Sequence, residues 1–171
     1  MIEDEAYLRR ALQLAAQAAR EGDVPIGAVL VSGDLLIEAK NEKEARADPT
    51  AHAEMVLLRE AARRRGAWRL SDATMYVTKE PCLMCAGAMI AARIKRLVYG
   101  ARDPKGGADG SVFDVLRSAR TNHRLEVRSG VLETETAAQL QQFFRKRRAK
   151  VQEGITDEPS QPTPPERWSS G

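Results

Sequence analysis

Near the N-terminus, apolar residues recur at helical spacing. Leu8, Leu12, Ala15, Ala16 and Ala19 mark one face of an amphipathic helix over 3–21, and Gly22 is its stop. The pattern then shortens. An apolar run over 26–31, the turn Ser32-Gly33-Asp34 and a second run over 35–39 predict a β-hairpin. A charged loop over 41–49 leads to Thr50, a candidate N-cap for a helix over 51–65 that Gly66 ends. A strand over 74–78 follows. Pro81 suits the first turn of the next helix, which runs to about Arg93, because its missing N–H would have no partner there. That helix carries Ala86, Gly87, Ala88, Ala91 and Ala92, small enough for close packing. Strands over 97–100 and 125–128 flank a Gly-rich loop at 103–110 and a short helix at 112–118. A final helix covers 134–151. The connection between the last two strands is a crossover, which favours parallel pairing. This order predicts an α/β fold, a three-layer α/β/α sandwich around a five-stranded mixed sheet.

Composition narrows the setting. The chain has 171 residues, enough for one domain with a real core, and is 43% hydrophobic and 30% charged. The domain is expected over 1–152. Over 153–171, four of the eight prolines collect and apolar periodicity stops, which predicts a disordered tail. No apolar run approaches the ~20 residues that span a bilayer, and the start, Met1-Ile2-Glu3-Asp4-Glu5, is acidic rather than signal-like. A cytoplasmic location without membrane association is expected. The net charge of +3 says little, but Arg145, Lys146, Arg147, Arg148 and Lys150 cluster with no acid between Glu135 and Glu153. Such a cluster is either a solvated helix face or a nucleic-acid patch.

The chemistry concentrates in two short segments, His52-Ala53-Glu54 and Pro81-Cys82-Leu83-Met84-Cys85, which hold the chain's only cysteines. One imidazole and two thiolates give zinc three ligands and leave its fourth position open, as in catalytic sites. Residues two apart point to nearly opposite sides in mid-helix, so His52 and Glu54 face one metal only if it lies off the helix N-terminus. A metal pinched between two helix N-termini is therefore expected, where positive partial charge also favours thiolates. Glu54 is left as a carboxylate beside an activated water, able to exchange protons. The set suits addition of water to an electrophilic carbon with loss of an amine. Thioredoxin-like redox chemistry leaves His-x-Glu unexplained, and a zinc ribbon needs a second cysteine pair, which the chain lacks.

These residues carry the known signature of the zinc-dependent nucleoside and nucleobase deaminases. Val24-Pro25-Ile26-Gly27-Ala28-Val29-Leu30-Val31, Asp48 to Glu54, Pro81 to Ile94, Gly100-Ala101-Arg102-Asp103 and Phe143-Phe144-Arg145 further resemble the bacterial tRNA-specific adenosine deaminases, over about 6–148. The resemblance implies a cytidine-deaminase-like fold. It implies conversion of the wobble adenosine of an arginine tRNA with an ACG anticodon to inosine, by a homodimer with one zinc per subunit. It implies zinc ligands His52, Cys82 and Cys85, the proton shuttle Glu54, and an anticodon stem-loop as partner. Asn41 matches a residue that contacts the target nucleotide, and Val24, Pro25 and Ile26 an apolar wall for the flipped base. Asp103, Lys105, His123, Phe143, Phe144 and Arg145 match positions near the anticodon loop. Asn41 as a turn residue, Phe143 and Phe144 as core, and His123 as a surface histidine remain open alternatives. Lys79 departs from the family, where an apolar residue is commoner. Two other functions share these residues: a zinc deaminase of a free base or nucleoside, and a zinc-stabilised RNA-binding module without catalysis.

Overall fold

A computed structural model describes residues 2–153, so the expected tail from 154 to 171 lies outside the described residues. The elements are α1 (Ile2–Arg20), β1 (Gly27–Ser32), β2 (Leu35–Lys40), α2 (Lys43–Arg46), α3 (Ala53–Arg65), β3 (Thr74–Lys79), α4 (Leu83–Ala91), β4 (Arg96–Ala101), β5 (Glu126–Arg128) and α5 (Glu133–Gln152). The sheet order is β2-β1-β3-β4-β5. β1 is antiparallel to β2 and β3, whereas β3, β4 and β5 are mutually parallel neighbours. The expected sandwich and mixed sheet are present.

Strand alternation sorts the core into two layers. Val29, Tyr76 and Val98 pack with Leu8, Ala11 and Leu14 of α1, and α5 lies on the same face. Ala28, Leu30, Met75, Val77, Leu97 and Tyr99 pack with Leu57 and Ala61 of α3 and with Ala86 and Met89 of α4. Side chains two apart on a strand share a face, so each strand feeds both layers. Gly27 sets how closely α1 sits: a Cβ there would lie 2.0 Å from the Ala11 carbonyl oxygen.

The parallel pairing of β4 with β5 holds, but the short helix expected over 112–118 is absent; the segment is turns and isolated bridges. The amides of Val115 and Leu116 both bond back to the Ala108 carbonyl, which draws the chain into a compact loop instead. The charged loop expected over 41–49 contains one helical turn, α2. The Glu44 N–H donates to Asp23 Oδ2 at 3.1 Å, a cap supplied from another part of the chain.

Asp4, in the first turn of α1, ties that helix to β4 and β5. It is buried and accepts from Arg96 Nη1 and Nη2 at 2.8 and 2.9 Å, and also from Arg128. The Arg96 hydrogen bonds hold its carboxyl well below the usual carboxylate range, against the opposing effect of burial. A depressed folded-state value means the stabilisation is fully present above the unfolded pKa, about 3.9, and fades as pH falls below it. Asp4→Asn is therefore expected to cost about 2 kcal/mol at pH 7. In urea melts the gap from the parent should close as pH falls below about 4.

Candidate metal centre

Both ligand segments start helices at one edge of the sheet, where β3 and β4 end and β1 begins. His52 is the N-cap of α3 and Cys82 the N-cap of α4, both with extended backbone. Neither side chain caps its own helix; both turn toward the space between the two helix ends. Thr50, the expected cap, lies two residues early. Its N–H and hydroxyl both donate to Asp48 Oδ1, at 2.8 and 2.7 Å, in a local turn that commits the side chain elsewhere.

His52, Cys82 and Cys85 offer one ligand atom each within 4.8 Å of one another. His52 Nδ1 lies 3.5 Å from Cys82 Sγ and 3.6 Å from Cys85 Sγ. Glu54 is only 3% exposed, and its Oε2 accepts from the Cys85 thiol at 2.8 Å. Burial pushes the Glu54 carboxyl up, against the lowering effects of the Cys85 hydrogen bond and of His52. A hydrogen bond from Cys85, with a further contribution from His52, outweighs burial and lowers the Cys82 thiol to about 4. Cys85 is pushed up, first by sharing a proton with Cys82 and then by burial.

The remaining candidate residues divide by position. Asn41 follows β2, and its N–H bonds to the Ile26 carbonyl. It is buried, and its Oδ1 accepts the Ala53 N–H at 2.8 Å, which fixes the first turn of α3 between His52 and Glu54. With the oxygen committed, its NH₂ donors are what it has left to offer. Val24, Pro25 and Ile26 lead into β1 at the same edge, Pro25 and Ile26 buried and Val24 half-buried. Asp103 and Lys105 lie in the loop after β4, across a groove of about 710 Å³ from Phe144 and Arg145 of α5. Phe143 and Phe144 lie outside the buried core: their rings meet edge-on at 5.4 Å on α5, Phe143 half-buried and Phe144 exposed. His123 is not brought to the cluster. Its Nε2 lies 2.7 Å from the Ile94 carbonyl oxygen, beyond the C-terminal end of α4, whereas the cysteines sit at the N-terminal end.

The whole described domain matches known sequences. Residues 2–148 match the family model for MafB19-like deaminase. A tRNA-specific adenosine deaminase of Bacillus subtilis is 48% identical over 151 residues, covering 88% of this chain and 94% of that protein. This chain belongs to the tRNA-specific adenosine deaminase family. Its relative of the same description from Haemophilus influenzae is 49% identical, covering 85% of each chain. A solved structure from work on tRNA:A34 deaminases superimposes with a TM-score of 0.76 at 43% identity, over 79% of this chain and 99% of the other. A guanine deaminase from Nitrosomonas europaea shares the fold at 25% identity and a TM-score of 0.67, over 81% of this chain and 83% of the other.

Within this deaminase fold the structure adds a residue that sequence reasoning missed. Glu80, between β3 and Pro81, is 2% exposed. Its carboxylate accepts backbone N–H groups from Asp103 at 3.2 Å, Asp109 at 3.0 Å and Ser111 at 3.4 Å, and also the Ser111 hydroxyl. A Cβ on Gly107 would lie 2.1 Å from Glu80 Oε2, so glycine is what lets the loop close over it. The loop also bonds back to the ligand turn, with Ala108 N–H on the Pro81 carbonyl at 2.8 Å and a bridge between Gly107 and Cys82. Lys79, the departure from the family pattern, pairs with Asp103 Oδ2 at 3.0 Å. Burial opposes ionisation of Asp103, but Lys79 together with backbone N–H groups outweighs it and holds the carboxyl low. Glu80→Gln is expected to loosen 103–111 and cost about 2–3 kcal/mol of stability, because the amide puts a donor where an oxygen accepted several N–H bonds. Hydrogen exchange at Asp109 and Ser111 should rise while metal content holds.

Proposed function

We propose that this chain is a zinc enzyme that deaminates the wobble adenosine of an arginine tRNA with an ACG anticodon to inosine, acting in the cytoplasm as a homodimer with one zinc per subunit. The convergence of His52, Cys82 and Cys85 beside buried Glu54 carries the reading. One imidazole and two sulfurs suit zinc, three protein donors leave a position open, and the donor atoms already lie close enough to share one ion. When bound, zinc would supply a water acidified enough to act near pH 7. Glu54 takes a proton from the attacking water and gives it to an adenine ring nitrogen, then takes the proton left on the added oxygen and gives it to the amine, which departs as ammonia. Asn41 offers its NH₂ to the target nucleotide while its oxygen keeps α3 in place. Val24, Pro25 and Ile26 wall the flipped base. Asp103, Lys105, Phe143, Phe144 and Arg145 border the groove for the rest of the loop, where splayed bases stack and phosphates meet cations. His123 stands apart from this set in a single chain.

The outer face of α4 supports a dimer. Leu83, Gly87 and Ala91 form an exposed stripe one turn apart, and exposed Val112 and Phe113 lie in the loop that packs on the ligand turn. The fold shared with a guanine deaminase keeps a second substrate class in view. Incubation with arginine tRNA, free bases and free nucleosides separates the two. Inosine in the tRNA alone supports the proposal; ammonia from a free base or nucleoside at a comparable rate overturns it.

A further inference from the structure

We infer that the groove between the C-terminal halves of α1 and α5 is a track for the phosphates of the RNA stem that flanks the reactive loop. The inference rests on the RNA reading above and extends it to a surface outside the catalytic groove. The groove measures about 650 Å³. Ala16, Ala19 and Gly22 give it a low floor, and Arg20, Lys146 and Lys150 stand along its walls. Arg147 joins them, lying over the Phe143 ring at 5.9 Å.

Charge pairing separates these residues from most other cations of the domain. Arg46, Arg63, Arg64, Arg65, Arg96 and Arg117 each hold a carboxylate within 4 Å. Among the described residues Arg20, Lys146, Arg147 and Lys150 have none; the adjacent acid, Glu21, points to Lys40 at 3.5 Å. Four cations around small residues, with no acid lining the groove, make a surface for a regular row of negative charge. Lys146 and Lys150 are one helical turn apart, about 6 Å, on the scale of neighbouring phosphates in a strand.

Position selects the ligand. The groove floor ends at Gly22, and the next residues, Asp23 to Ile26, run into β1 beside the metal centre. On the other side of α5 lies the groove that Asp103, Lys105, Phe144 and Arg145 line. α5 therefore stands between two basic grooves. A loop seated in one would leave its stem backbone to cross the helix and meet the other. An acidic peptide would satisfy the charges but has no reason to approach the catalytic edge.

The test compares the parent with the exposed triple variant Arg20→Ala, Lys146→Ala, Lys150→Ala on two substrates: full-length arginine tRNA and a hairpin truncated to the loop and its closing pairs. KM for the tRNA should rise at least about ten-fold, with a much smaller change on the short hairpin. The slope of log KM against log salt on tRNA should flatten by about two, from ~0.7–0.9 per lost phosphate contact. Arg20→Lys with both lysines restored should recover the parent slope. An unchanged tRNA KM and salt slope, or equal losses on both substrates, would overturn the inference while leaving the deaminase reading intact. A parent that makes no inosine in any tRNA would remove the reading itself.

Discussion

Glu54→Ala is expected to lower kcat on tRNA by about 10²–10⁴-fold, the usual worth of a positioned proton carrier, while metal content stays at the parent level. Glu54 reaches the cluster through the Cys85 sulfur, but the three donors that converge are His52, Cys82 and Cys85, so its removal leaves the ligand set whole. The variant should also fold at least as stably as the parent. A carboxylate that is 3% exposed, with the Cys85 thiol on one oxygen, is costly to bury. Sites kept for activity at the expense of stability behave in this way. Metal analysis, a melting curve and single-turnover inosine formation would be read together. Parent-like turnover, or loss of metal with turnover, would remove Glu54 from the proton path.

What could be read from sequence follows from how local each signal is. His52-x-Glu54 and Cys82-x-x-Cys85 are legible because ligand spacing and helix punctuation are properties of a few adjacent residues. The same holds for Gly66, which ends α3 in the left-handed region at φ 70°. Bringing the three candidate ligands to the space between two helix starts needed only that spacing and helix geometry. Glu80 was illegible for the opposite reason. A glutamate at a strand end reads as solvated, and only the loop returning from 103–111 turns it into a buried acceptor. Asp109 is similar: it is buried because Tyr99, ten residues before it, and Arg117, after it, both bond its carboxylate. The missing helix over 112–118 has a different cause: its amides bond back to the Gly107 and Ala108 carbonyls in a compact loop rather than to carbonyls four residues earlier. Phe143 and Phe144 could not be assigned from spacing alone, because nothing local says which part of α5 is covered by the rest of the fold.

The largest combined effect is expected at the ligands themselves. Cys82→Ala, Cys85→Ala and His52→Ala should each lose stoichiometric metal and bring tRNA deamination below detection, since two remaining donors hold a divalent ion far more weakly than three. The stability consequences should differ. A ligand that binds only the folded state raises the melting temperature, so all three variants should resemble the chelator-treated parent rather than the loaded one. Cys85 is fully buried, in contact with the α3–α4 core layer, whereas His52 and Cys82 are half-buried at the helix ends. Cys85→Ala should therefore be less stable than the chelated parent by a further ~1 kcal/mol, the cost of a small cavity, while the other two should match it. Zinc added back after chelation should restore the parent's melting temperature and activity but not those of any variant. A variant that kept full metal would show that another residue supplies the third donor, and the proposed ligand set would fall.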